Sequence, residues 1–212
     1  MIISLIGFMG CGKSSVGREL SQLLCCPFID LDNFIEERDG RTIAEIFVTK
    51  GEAGFRQLES QALQDICHPE IPDHPDQSEV TPHLVLALGG GTVMTPQCAE
   101  LVRKNTLCIY LRASLDTLHE RLSSDISIRP LLTTSSLRYP QANYTSQDDA
   151  QATSSQDADQ SGDSPLRHRI ETILSARSTT YENTANIIID TDGKSIEDIA
   201  SEISQNVANT PL

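Results

Sequence analysis

The octapeptide Gly7-Phe8-Met9-Gly10-Cys11-Gly12-Lys13-Ser14 constrains this chain more than any other feature. It fits the pattern G-x-x-x-x-G-K-[ST], in which glycines let the backbone curl inward until successive N–H groups face phosphate oxygens. The residues around it have the periodicity that this task needs. Ile2–Ile6 is a continuous apolar run and reads as a buried strand, while Lys13–Leu24 carries Val16, Leu20, Leu23 and Leu24 at helical spacing. A strand, a glycine loop and a helix in that order set the positive end of a helix dipole at the phosphates. In this reading Gly10, Cys11, Gly12, Lys13, Ser14 and Ser15 hold a nucleoside triphosphate. Lys13 reaches its β- and γ-phosphates, and the Ser14 hydroxyl takes a place on Mg²⁺. Cys11 reads as a small residue tolerated in the loop rather than a redox switch. A chance glycine-rich turn is the competing explanation, and the strand before it and the helix after it argue against that.

The rest of the chain continues the alternation. Pro27–Leu31, Leu84–Leu88, Leu107–Leu111 and Asn186–Asp190 read as four further strands. Thr42–Cys67, Thr95–Lys104, Ser114–Leu122, Pro165–Asn183 and Ser195–Val207 read as helices, the first with a break near Gly51 and Gly54. Strands separated by helices predict a three-layer α/β/α P-loop fold on a five-stranded parallel sheet. The long helical stretch between the second and third strands leaves room for a substrate-binding helical subdomain. A chain of 212 residues suits one domain, 1–212. Two segments break the pattern. Residues 68–82 hold four prolines and read as a loop insertion. Residues 139–165 hold five aspartates without a lysine, arginine or glutamate, and are expected to be disordered.

Charge excludes some functions. A net charge of −14 argues against a general nucleic-acid binder, and it requires that any anionic ligand be held by a local cluster of cations and amides. No apolar stretch approaches a membrane span, and Met1–Ile6 lacks the basic flank and cleavage site of a secretory leader. The six cysteines are scattered, which predicts free thiols in a reducing cytoplasm. Cys67, His68, His74 and His83 match no zinc spacing.

Three features narrow the class. Asp30-Leu31-Asp32 ends the second strand, where alternate side chains of an extended chain point the same way. Two carboxylates there suit Mg²⁺ and a substrate hydroxyl, or equally a helix N-cap with a solvated neighbour. Arg56, beside Phe55, is either a surface charge or an anion ligand. Gly89-Gly90-Gly91 follows a buried strand and bares backbone to a close ligand, where a plain turn rarely needs three glycines.

With these pieces in order, the chain resembles the shikimate kinases. The resemblance rests on GFMGCGKSSVGRELS at 7–21, FIDLDNFIE at 28–36, GEAGFRQLE at 51–59, ALGGGTV at 87–93, IRPLL at 128–132, SARSTTYENTA at 175–185 and IIIDT at 187–191. It implies a P-loop kinase with a lid, transferring the γ-phosphoryl group of ATP to the 3-hydroxyl of shikimate in aromatic amino acid biosynthesis. It further implies that Asp32 binds ring hydroxyls and accepts the attacking proton. By the same likeness Asp30 joins Ser14 in holding a single Mg²⁺. Arg56 and Arg177 clamp the carboxylate, a task for which a bidentate guanidinium suits better than an ammonium. Gly89, Gly90 and Gly91 line the same pocket. Arg129 matches the lid arginine that meets the phosphates, Arg121 the residue that packs on adenine, and Asp190-Thr191 the start of the adenine-side loop. The family implies a cytoplasmic monomer, with neither nucleic acid nor membrane as a partner. Rival readings are a kinase acting on gluconate or a nucleoside monophosphate, and a non-catalytic nucleotide-binding regulator.

The acidic segment is the departure from the family pattern, since it follows Arg129-Pro130-Leu131-Leu132 directly. If it is an appendage, deleting 140–163 changes turnover modestly. A loss beyond about a hundredfold, some 2.7 kcal/mol of barrier, would instead make it part of the lid mechanism.

Overall fold

The computed structural model describes residues 1–67, 84–124 and 165–209. Its centre is β1 (Ile2–Ile6), buried at every position. A strand apolar on both faces must be covered on both, and parallel neighbours with crossover helices do this. β1 pairs in parallel with β3 (Leu84–Ala87) on one side and β4 (Thr106–Arg112) on the other. β2 (Phe28–Asp30) and β5 (Ile187–Asp190) flank these, giving the order β2-β3-β1-β4-β5. The expected five-stranded parallel sheet is therefore present.

Alternation along the strands divides the core into two layers. Ile3 and Leu5 of β1, with Ile109 and Leu111 of β4, pack against α1 (Lys13–Leu23), α5 (Leu115–Ser124) and α7 (Ile196–Asn209) through Val16, Leu20, Leu118 and Ile203. Ile2, Ile6, Cys108 and Tyr110 face the other way. They meet α2 (Leu31–Asp39), α3 (Ile43–Cys67), α4 (Pro96–Asn105) and α6 (Pro165–Thr184) through Ile35, Leu63, Val102 and Tyr181. A helical layer on each face makes the expected α/β/α sandwich.

Local signals explain most boundaries. Pro96 opens α4 at a position where its missing N–H has no helical partner to lose. Ser114 caps α5 by accepting from the Thr117 amide, and Ser195 and Asp198 form a reciprocal cap on α7. Thr42 and Glu45 do the same for α3. The expected break in α3 falls at Gly51, whose φ of 68° no β-branched residue holds comfortably. The second strand is shorter than expected: Leu31 already belongs to a helix. That helix, α2, has no separate signal in the apolar spacing, because its first residues double as the strand's end.

The proline-rich segment 68–82, the acidic segment up to residue 164 and the lid motif 128–132 lie outside the described residues.

Packing of α1 on the sheet yields a test. A Cβ on Gly17 would stand 2.4 Å from Phe28 Cε2 and 3.3 Å from Leu5 Cδ1. Helix propensity alone makes Gly17→Ala stabilising by about 1 kcal/mol, whereas overpacking of this kind costs about 1–3 kcal/mol. We expect overpacking to win and Tm to fall by roughly 2–6 °C in a thermal melt. A rise in Tm would show that Phe28 yields freely.

Candidate active site

Two glycine loops lie side by side at the carboxyl ends of neighbouring strands. The phosphate loop follows β1 and the Gly89–Gly91 triplet follows β3, and the chain leaves these two strands toward opposite edges of the sheet. A crevice forms where connections diverge in this way. It is a cavity of about 680 Å³, lined by the loop from Met9 to Val16 and by Asp30, Asp32, Gly89, Gly90, Arg121 and Lys194. Gly12 caps α1 in the left-handed region, and the first turn of that helix holds no acid of its own, so its positive end faces the cavity. Lys13 arches back over the loop, its ammonium donating to the carbonyls of Gly7 at 2.9 Å and Phe8 at 3.0 Å. Cys11 is fully buried beneath the loop, as befits a packing residue.

The carboxylate pair is arranged differently from the expectation of two side chains on one extended strand. Asp30 is the N-cap of α2, with Oδ1 accepting from the Asp32 amide at 3.2 Å. Its Oδ2 accepts from the Ser14 hydroxyl at 2.6 Å. Asp30 thus performs the capping task and also meets the phosphate loop. Asp32 stands in the first turn of α2, because the chain coils as soon as the cap is made. Burial pushes the Asp32 carboxyl up to about 6, helped by the neighbouring charges of Asp30 and Glu59 and opposed by Lys13.

Each glycine of the triplet meets a different functional side chain. A Cβ on Gly89 would stand 3.0 Å from Asp32 Oδ1. The Gly90 carbonyl accepts from Arg177 Nη1 at 3.1 Å and from the Tyr181 hydroxyl. A Cβ on Gly91 would lie 2.7 Å from Arg56 Nη2. Three consecutive residues without side chains therefore let one carboxylate and two guanidinium groups converge on one stretch of backbone. Arg56 is braced on its helix by Glu59, 2.7 Å away and only 1% exposed, and by Glu52 at 3.6 Å. The other Glu59 oxygen accepts from the Thr92 hydroxyl at 2.6 Å, so this buried charge has partners on both oxygens.

Sequence reasoning passed over Glu59, Thr92, Tyr181 and Lys194. Two of these had a signal: Glu59 lies three residues after Arg56 and Tyr181 four after Arg177, spacings that share a helix face. Thr92 and Lys194 had none. Arg121 donates to the Gly10 carbonyl at 3.3 Å and lines the cavity, as do Lys194 and Ile196. Asp190 instead pairs with Arg112 at the end of β4, with Nη2 2.9 Å from Oδ2, and Thr191 is buried. The adenine-side loop expected to begin at these two residues thus reaches the cavity only at Lys194. Arg129 lies outside the described residues.

Comparison with known proteins agrees with this architecture. A shikimate kinase family model matches residues 9–208. A shikimate kinase of Thermus thermophilus is 33% identical over 205 residues, covering 97% of this chain and 89% of that protein. That of Thioalkalivibrio sulfidiphilus is 36% identical over 203 residues, covering 96% and 85%. Among solved structures, a shikimate kinase from Acinetobacter baumannii in complex with shikimate superposes with a TM-score of 0.74 at 27% identity, over 100% of this chain and 94% of that one. A P-loop beside a glycine triplet, on a parallel sheet of this order, and relatives of this likeness over nearly the whole length place the chain in the shikimate kinase family.

Proposed function

We propose that the chain transfers the γ-phosphoryl group of ATP to the 3-hydroxyl of shikimate, giving 3-phosphoshikimate and ADP, with the following residues in these roles. The observation that carries the assignment is the convergence of Asp32, Arg177 and Arg56 on Gly89, Gly90 and Gly91 respectively. The acceptor is a carboxylate that also bears hydroxyls. Two guanidinium groups suit the one and a carboxylate base suits the other. A regulator that only bound nucleotide would have no use for such a set, nor would a kinase whose acceptor lacks a carboxylate.

Asp32 accepts hydrogen bonds from the ring hydroxyls and takes the proton of the attacking oxygen. Its raised pKa, near 6, makes it a better base than an exposed aspartate while leaving it ionised at neutral pH. Lys13 swings from the loop carbonyls to the β- and γ-phosphates, over amides of Gly10, Cys11, Gly12, Ser14 and Ser15. Arg129 adds a cation from the lid segment. Phosphoryl transfer asks for little covalent help, so positioning and charge stabilisation supply most of the acceleration.

The donor set of Ser14 and Asp30 fits Mg²⁺. Both present hard oxygens, 2.6 Å apart, at the mouth of the phosphate loop. Among the described residues no cluster of three or more His, Cys, Asp or Glu offers a cage made of protein alone. That suits an ion which keeps waters and shares phosphate oxygens. Bound there with ATP, one such ion would neutralise charge on the β- and γ-phosphates.

We place the enzyme in the cytoplasm as a monomer. All six cysteines are free, as suits a reducing compartment. The strongly acidic net charge gives nucleic acid no general foothold. Among the described residues no helix is long and apolar enough to cross a membrane.

Two experiments test the assignment. ADP release with Mg²⁺-ATP should depend on shikimate, and Arg56→Ala and Arg177→Ala should each lower kcat/KM for shikimate by about ten- to a hundredfold, the 1.5–3 kcal/mol of a charged hydrogen bond. Turnover that ignores shikimate, or is indifferent to both changes, would mean that the acceptor is misnamed.

The second concerns Asp32. Its folded pKa is raised from 3.8 to about 6. Its contribution to stability is therefore full below 3.8 and is lost as pH rises through about 6. Asp32→Asn should accordingly stabilise the free protein at pH 8 by on the order of 2 kcal/mol, with little effect at pH 4, while lowering turnover about 10²–10⁴-fold. Wild-type kcat/KM should rise with pH to a plateau above about 6. A variant equally destabilised at both pH values would refute the burial argument.

A further inference from the structure

The inner face of α6 begins apolar at Ile170 and turns polar in its C-terminal half, where a helix packed on a core is ordinarily apolar. Arg177, Tyr181 and Thr184 follow one another at four- and three-residue spacing and are all buried. Tyr181 lays its ring against Tyr110 of β4, with centroids 5.1 Å apart, and donates its hydroxyl to the Gly90 carbonyl. Arg177 Nη1 donates to that same oxygen at 3.1 Å. A carbonyl oxygen has two lone pairs, so one helix supplies both of its partners from donors one turn apart.

The consequence falls on the peptide between Gly90 and Gly91. The peptide is planar and trans, so anchoring its carbonyl also sets the direction of the Gly91 N–H and the position of the Gly91 Cα. Gly91 in turn packs against Arg56, and Gly90 against the phosphate loop, where a Cβ would stand 3.4 Å from the Met9 nitrogen. Three glycines in a row have no side chains with which to hold a conformation, and their freedom must be removed from outside. Arg177 cannot do this alone if it must also turn toward a ligand. Tyr181, whose hydroxyl also bonds the Arg177 side chain, need not leave the carbonyl to meet a ligand. Burial pushes its phenol well above the ordinary range, so it remains a neutral donor throughout the working pH range.

We infer that Tyr181 is a positioning residue of the acceptor site: its hydroxyl holds the Gly90 carbonyl so that Arg177 and Arg56 stand at the separation a single carboxylate requires. This deepens the proposed function and rests on it, since both arginines are taken to bind the carboxylate of shikimate.

Tyr181→Phe removes the hydroxyl and keeps the ring on Tyr110. Initial rates with Mg²⁺-ATP should show KM for shikimate raised about three- to tenfold, the range of one neutral hydrogen bond. The kcat and the KM for ATP should stay within about twofold, and in an Arg177→Ala background the same change should alter KM for shikimate by less than about twofold, because the clamp it positions is gone. An unchanged KM for shikimate in the otherwise wild-type enzyme overturns the inference. An equal rise in both backgrounds also overturns it, since the hydroxyl would then act independently of the clamp, as does an effect confined to kcat or to the KM for ATP. If Arg177→Ala itself leaves KM for shikimate unchanged, the carboxylate-clamp assignment falls and takes this inference with it; an Arg177→Ala effect without a Tyr181→Phe effect sinks the inference alone.

Discussion

β1 and β3 run side by side in parallel register, Ile2 opposite Leu84 and Leu5 opposite Ala87, and each leads into a glycine loop. The rest of the site depends on this pairing. It fixes the phosphate loop and the glycine triplet as neighbours, so the two halves of a phosphoryl transfer are presented from adjacent strand ends. A hydrogen-bonded ladder of buried residues resists shear, and a slip of one residue would turn every core side chain to the wrong layer. The donor and acceptor sites are therefore held by the most rigid part of the fold, while helices carry the side chains that act on them.

Electrostatics are local throughout. The chain carries a net charge of −14, yet the proposed function requires it to attract two anions. It does so by concentrating backbone amides, Lys13 and the guanidinium groups of Arg56, Arg121 and Arg177 around two short loops. The two carboxylates nearest these cations are held differently. Glu59 braces Arg56 and is itself satisfied by Thr92, whereas Asp32 sits among other acids and is left with a raised pKa. Unlike environments go with unlike roles: one carboxylate, buried and paired, orients a cation, and the other, at the cavity, is the one to which the proposed function gives the proton.

Much of the fold was legible in the sequence. Apolar runs of the right length marked all five strands, and glycines, prolines and serine caps marked most helix boundaries. The phosphate loop was legible because its mechanism needs particular residue types at particular spacing. Asp30 and Asp32 were harder. Read as an extended pair they point one way, but the cap that Asp30 makes starts a helix immediately, so Asp32 reaches the cavity from a helical turn. Glu59 and Tyr181 were hidden for another reason: a glutamate and a tyrosine in polar helices look like solvated residues until the partner surface is known.

The succession of the strands and of the described helices other than α2, the phosphate loop and the presence of a glycine triplet after a buried strand were determined by sequence alone, because backbone preference and hydrophobic period are local properties. Which side chains meet the triplet was decided only by tertiary structure. Asp32, Arg56 and Arg177 come from α2, α3 and α6, and no local rule relates residues so far apart in the chain. Their convergence follows from packing those helices on one face of the sheet, where burial also sets the pKa of Asp32 and makes the Tyr181 hydroxyl seek the Gly90 carbonyl.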